Sequence, residues 1–221
     1  RDLIAKGVCT HTIYRNLAAI SGRQRRLSEL VSLLKKAIEL NPNHPEDHYD
    51  LALSLQQQGN LTSAIDSYQK AVQLKFNFPD AHFRLGNALQ LEGNLSAAIT
   101  AYKTAIELKP NFPDAHNNLG VAFQEHGNTT AAIASYKNAL RLKPNFLEAH
   151  VNCGSALKDK YELTAAIASY EEALRLKPDH AEAHNGMGCA LKEKSELTKA
   201  ITSFKKAIRL KPNYPEAFNN L

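Results

Sequence analysis

The amino-acid sequence predicts an all-α fold, a right-handed α-α superhelix or solenoid of about six 34-residue helix-turn-helix repeats. Three observations predict it. Pro42, Pro110, Pro144, Pro178 and Pro212 stand 34 or twice 34 residues apart, with Phe76 at the missing place. Small residues recur at the same interval, at Ala64, Ala98, Ala132, Ala166 and Ala200, and again at Ala37, Ala71, Ala105, Ala139, Ala173 and Ala207. An aromatic residue recurs between them at Tyr68, Tyr102, Tyr136, Tyr170 and Phe204, and spacings of three, four and seven lie on one helix face.

At this period the 221 residues divide into a leader, 1–10, and a degenerate first repeat, 11–44. Five repeats follow at 45–78, 79–112, 113–146, 147–180 and 181–214, and 215–221 starts a truncated one. In the first unit Tyr14, Asn16, Leu17, Ala18, Leu30, Ala37 and Pro42 keep the pattern, while Arg25-Arg26 stand where the next units carry Gly-Asn. Each later unit opens with an acid at its second position, from Glu46 through Asp80, Asp114, Glu148 and Glu182 to Glu216, which suits a helix N-terminus. Its first helix carries an apolar-small pair, as in Leu85-Gly86, Leu119-Gly120, Cys153-Gly154 and Met187-Gly188, allowing close helix approach. That helix ends at Gly59-Asn60, Gly93-Asn94 and Gly127-Asn128, where glycine supplies a left-handed residue. Tyr161-Glu162 and Ser195-Glu196 replace the pair in the last two complete units, and a different turn conformation is expected there. Ser28, Thr62, Ser96, Thr130, Thr164 and Thr198 are the expected caps of the second helices. Those helices end at Lys-Pro, as in Lys109-Pro110 and Lys143-Pro144, because proline cannot continue them.

Composition excludes several classes. With 43% hydrophobic and 22% charged residues the chain is globular, and no apolar run is long enough to enter a membrane. Cys9, Cys153 and Cys189 are too scattered for a disulfide framework or a zinc site, which points to a reducing, cytoplasmic setting. The net charge of +5 resides in residues 1–44, where Arg23, Arg25 and Arg26 form a basic patch. Without an aromatic stacking platform beside it, nucleic acid is not expected as a partner. Met187 is the sole methionine and residue 1 is Arg, so the sequence reads as an excerpt.

No catalytic constellation appears, and neither a metal nor a cofactor is expected. His48, His82, His116, His150 and His184 share one column, one repeat apart, which is too far for one coordination sphere and suits interhelical packing. Cys153 falls in the buried leucine column, and Cys189 on the groove side has no neighbour placed to activate it.

The run His116-x2-Leu119-Gly120-x2-Phe123, then Ala132-x3-Tyr136, then Pro144 resembles the tetratricopeptide repeat signature, with His in place of Trp. The resemblance covers residues 11–221. It implies a concave groove lined by positions two, five, six, nine, twelve and thirteen of each first helix. Mapped here, the peptide-binding candidates are Tyr49, Asp50, Phe83, Arg84 and Asn87, then Asn117, Asn118, Asn152, Asn185, Asn219 and Asn220. An asparagine amide both donates and accepts, so it can pair with a peptide backbone of any sequence. The phrase Ala115-His116-Asn117-Asn118-Leu119-Gly120 is similar to the repeats of O-linked N-acetylglucosamine transferases and bacterial relatives, in which an asparagine ladder holds the acceptor polypeptide. Asp50, Arg84 and Gly186 interrupt that ladder, and acids throughout position two disfavour a clamp for carboxylate tails.

The expected function is therefore a noncatalytic interaction scaffold for a protein or extended peptide. The alternative is the substrate-docking arm of a larger glycosyltransferase. Self-association through the C-terminal repeat is also expected, because Phe204, Ile208 and Leu210 would lack the cover of a following repeat.

Overall fold

The spacing of apolar and small residues is realised as helix pairs. The computed structural model describes residues 10–221, so most of the leader, Cys9 included, lies outside the described residues. Among these residues there are thirteen helices and no strand, in two compact units meeting at Pro110 and Asn111. The first unit holds α1 (His11–Arg23), α2 (Leu27–Leu40), α3 (Pro45–Gln57), α4 (Leu61–Leu74), α5 (Pro79–Glu92) and α6 (Leu95–Leu108). The second holds α7 (Pro113–Glu125), α8 (Thr129–Leu142), α9 (Leu147–Asp159), α10 (Leu163–Leu176), α11 (Ala181–Glu193), α12 (Leu197–Leu210) and the short α13 (Pro215–Asn220). Within each unit every helix packs on the next, first as an intra-repeat pair and then across to the following pair.

The pairs are held by a ring pressed against a missing side chain. In the second unit a Cβ added at Gly120 would lie 2.5 Å from the Tyr136 ring, and one at Gly188 would lie 2.6 Å from Phe204. Gly86 meets Tyr102 in the same way in the first unit, at 2.6 Å. The rings of Tyr68, Tyr102 and Tyr136 are fully buried, and each hydroxyl finds a glutamine on its own repeat's first helix: Gln56 at 3.0 Å, Gln90 at 2.8 Å and Gln124 at 3.0 Å. Burial pushes the phenols of Tyr68, Tyr136 and Tyr170 far above their ordinary range, so they stay neutral donors. The expectation that Phe204 would lack cover is corrected: it is 1% exposed, because Gly188 of its own repeat receives it.

The intra-repeat turns depart from expectation. Tyr161 and Ser195 do not adopt a different conformation. They take φ of 59° and 68°, Arg25 takes 56°, and Gly59, Gly93 and Gly127 take 80°, 90° and 82°. Each turn closes through the same bond from the following residue to a carbonyl five residues back, as in Asn60 N to Leu55 O at 3.0 Å and Glu162 N to Leu157 O at 2.9 Å. The close packing of the two helices fixes the turn, and the residue there complies whether or not it is glycine. The capping expectation is corrected too. Asn60, Asn94 and Asn128 are the N-caps, accepting from Ser63 N, Ala97 N and Ala131 N at 3.3, 3.3 and 3.1 Å. Thr62, Ser96 and Thr130 already lie inside the first turn. Arg26, Glu162 and Glu196 stand at the cap without a side-chain bond.

Four of the column histidines tie the preceding inter-repeat loop to the helix that follows it. Nε2 donates to the carbonyl six residues back, His48 to Pro42 at 2.9 Å, His82 to Phe76 at 3.0 Å, His150 to Pro144 at 2.8 Å and His184 to Pro178 at 2.9 Å. Lysines at the ends of the second helices return to the acid opening the same repeat, Lys75 to Glu46 at 2.8 Å and Lys211 to Glu182 at 3.2 Å. Both pairs are solvent-exposed, and each contributes only about 0–1 kcal/mol.

Three outcomes follow from this packing. Ala139→Leu, placed where the side chain is fully buried, should destabilise by about 1–3 kcal/mol in denaturant melts through overpacking. Tyr161→Gly and Ser195→Gly should each raise stability by up to about 1 kcal/mol, because the left-handed backbone strains a residue with a Cβ, whereas Gly93→Ala should lower it by about 1–2 kcal/mol. Burial pushes the imidazoles of His82 and His184 below their ordinary value of 6.5, the carbonyl bonds opposing only in part. The folded state therefore favours the neutral ring. The resulting stability is complete above pH 6.5 and is lost as pH falls through the depressed folded values, so melting temperature should drop between pH 7 and pH 5, less steeply in His82→Gln.

Candidate functional site

The first-helix faces carry the candidate residues, and the two units present different chemistry. In the first unit a cavity of about 740 Å³ is lined by Thr12, Arg15, Asn16 and Ala19 of α1 and by Asp50, Leu53 and Gln57 of α3. Leu27, Leu30 and Leu34 of α2 supply its apolar wall, and Arg25 stands beside them. Thr12, Arg15, Asn16 and Ala19 occupy first-helix positions two, five, six and nine; Asp50, Leu53 and Gln57 occupy six, nine and thirteen. Asp50 is exposed to solvent on one side, yet loss of water on the other pushes its carboxyl above the ordinary range, with the charge of Arg15 opposing.

Tyr49 and Phe83 are half-buried. The Tyr49 ring lies 6.0 Å from Tyr68 and 4.9 Å from Phe78, and Phe83 lies 6.0 Å from Tyr102. Each is anchored by aromatic rings of its own repeat. Arg84 is exposed, with its guanidinium 6.0 Å from the Phe83 ring centre. Asn87 accepts from the Tyr102 hydroxyl at 2.8 Å, so its carbonyl is engaged in the fold. Of the basic patch, Arg23 and Arg25 are exposed, and Arg26 pairs with Glu29 at 2.7 Å and bonds Gln24.

In the second unit the asparagines bond each other. Asn152 donates to Asn117 at 3.2 Å, and Asn117, itself 7% exposed, donates to Asn118 at 3.3 Å. Asn220 repeats the arrangement two repeats later, donating to Asn185 at 3.1 Å and to the Cys189 sulfur at 3.3 Å. An amide at position six thus bridges to position five of the preceding repeat. Asn219 is exposed on α13. The break at Gly186 is steric: a Cβ there would lie 2.5 Å from the Tyr170 ring. Cys153 is buried and Cys189 half-buried, and burial pushes both thiols up, away from nucleophilic use.

Sequence reasoning missed one constellation. His11 Nε2 donates to Asp47 Oδ2 at 2.5 Å, Arg15 Nε lies 2.7 Å from Asp47 Oδ1, and His44 Nδ1 lies 3.3 Å from the same oxygen. The Asp47 side chain is fully buried. The available signal was Asp47 itself, which occupies a column that reads Ala81, Ala115, Ala149, Ala183 and Ala217 in the later repeats.

Family comparison completes the picture. The family model described as TPR repeat matches residues 55–93, 91–127, 154–195 and 188–221, and two described as Tetratricopeptide repeat match 113–146 and 33–66. The chain belongs to the tetratricopeptide-repeat family. Among solved structures it is similar to YrrB, described as a TPR protein with an unusual peptide-binding site, at 24% identity and a TM-score of 0.74, covering 84% of this chain and 96% of that one. The pilF protein of Pseudomonas aeruginosa matches at 19% identity and a TM-score of 0.77, covering 95% of each chain. The C-terminal part of a TPR repeat-containing protein from Cytophaga hutchinsonii matches at 20% and 0.79, covering 100% of this chain and 91% of that one. These likenesses carry the fold. No curated protein matches the sequence. No helix among the described residues is long and apolar enough to cross a membrane.

Proposed function

We propose that this tetratricopeptide chain is a noncatalytic protein-interaction scaffold that takes an extended polypeptide on the first-helix face of its repeats. The observation that carries the reading is the cavity of about 740 Å³, whose α1 and α3 residues fall largely on the positions assigned to the groove. Its size suits a few ligand side chains, and its apolar wall of leucines flanked by Arg15, Arg25 and Asp50 suits a segment that mixes aliphatic and charged residues. The peptide-binding description of YrrB supports the same assignment.

The two kinds of candidate should play different parts. Tyr49 and Phe83 offer a rigid ring edge at little entropic cost, which sets side-chain preference. The asparagine amides already bond one another, so a ligand backbone must replace or extend those bonds. Asn118→Ala with Asn152→Ala should therefore weaken binding by about 1–3 kcal/mol per lost ligand bond and also lower the melting temperature slightly, since the bond from Asn152 to Asn117 goes with it. A peptide array on Tyr49→Ala, Phe83→Ala and Arg84→Ala should show altered sequence preference with the fold intact by circular dichroism. An array profile unchanged in all these variants would remove the groove as the binding site.

A further inference from the structure

We infer that His11, His44 and Asp47 form a binding site for a divalent transition metal of the zinc class. His11 and Asp47 depart from the repeat together. Asp47 stands in a column where Ala81, Ala115, Ala149, Ala183 and Ala217 are all fully buried, His11 stands where Pro45, Pro79, Pro113 and Pro215 stand, and His44 shares its column with Phe78, Phe112, Phe146, His180 and Tyr214. A carboxylate in an alanine's place is costly to desolvate unless it is paired with a cation or coordinated. Arg15 supplies part of that pairing, yet among the described residues the buried Nδ1 of His44 and Oδ1 of Asp47 lack a well-directed hydrogen bond. The two atoms lie 3.3 Å apart.

The donor set is right for such an ion. One ring nitrogen of each histidine and a carboxylate oxygen of Asp47 lie within 4.8 Å of one another, and His11 Nε2 would release the proton it gives to Asp47 when the ion binds. A tetrahedral ion with bonds of about 2.0–2.1 Å needs donors roughly 3.3 Å apart, so a small side-chain adjustment suffices. Two imidazoles and one carboxylate suit Zn²⁺ or its neighbours better than Mg²⁺ or Ca²⁺, which prefer oxygen. Oδ2 faces His11 and would be the ligating oxygen. Arg15 Nε, at 2.7 Å from Oδ1, would then hold the outer oxygen, as partners of ligating carboxylates do. His11 and His44 remain 21% and 25% exposed, which leaves a path for the ion and a fourth position for water. His11 is on α1, whereas Asp47 is on α3 and His44 at its cap, so the ion would clip the first repeat to the second.

The test uses the tag-free full chain. One equivalent of Zn²⁺ should bind in calorimetry, raise the melting temperature by several degrees reversibly to chelator, and Co²⁺ should give the ligand-field absorption of a tetrahedral site. Asp47→Ala introduces the residue of the later repeats and His44→Phe that of Phe78, Phe112 and Phe146, so both should fold with the parent's circular dichroism and lose the cobalt band and the melting shift. Arg15→Gln should weaken zinc about 10- to 100-fold without abolishing it. Absence of a melting shift and a cobalt band in the parent would overturn the site, as would metal binding that persists unchanged in Asp47→Ala and His44→Phe. Because the groove variants Tyr49→Ala and Phe83→Ala do not touch these ligands, loss of peptide binding and loss of metal binding are read separately.

Discussion

Everything in this chain rests on one contact repeated along it, an aromatic ring of the second helix seated where the first helix has almost no side chain. Gly86, Gly120 and Gly188 leave room for Tyr102, Tyr136 and Phe204, and the rings are buried to the last few per cent. A ring so placed sets the distance between the two helices and their relative rotation. The turn joining them is then no longer free. That is why Tyr161 and Ser195 accept a left-handed backbone that their chemistry disfavours: the geometry comes from the packing, and the strain, about 1–2 kcal/mol per residue, is small against the burial of an aromatic side chain.

The same hierarchy explains which features could be read from the residues. The period, the paired helices and the small-aromatic columns are legible because each depends on residue type at a fixed spacing. The Lys-Pro ends and the acidic openings are legible for the same reason. The turns at Tyr161 and Ser195 are not, because packing overrides local propensity there, and the caps lie two residues from the expected Thr and Ser because Asn, Ser and Thr are all good caps. In the groove, position five and position six were nameable from the family, but the bonds from Asn152 to Asn117 and from Asn220 to Asn185 depend on a helix-to-helix offset of one repeat plus one residue, which column-by-column reading does not combine.

The cluster of His11, His44 and Asp47 illustrates the complementary failure. Comparing each column with itself finds regularities, and these three occupy three different columns. They meet because a residue of one repeat neighbours residues about 34 positions on, so His11 faces Asp47 at a separation of 36. A better reading of any repeat array treats each departure from its column as a question and asks whether departures in adjacent repeats coincide in space.

The histidine bonds to the inter-repeat carbonyls have an implication for how such an array can change in length. The loops at Pro42, Phe76, Pro144 and Pro178 are each grasped by an imidazole of the next helix, so an inserted residue there would break that bond and shift the following repeat. The intra-repeat turns are different, since a Cβ at Gly59, Gly93 or Gly127 would meet nothing within 4 Å. Additional chain can therefore be accommodated at those turns and is resisted between repeats, so over evolutionary time insertions should lengthen individual repeats at their internal turns while the junction from one repeat to the next keeps its length.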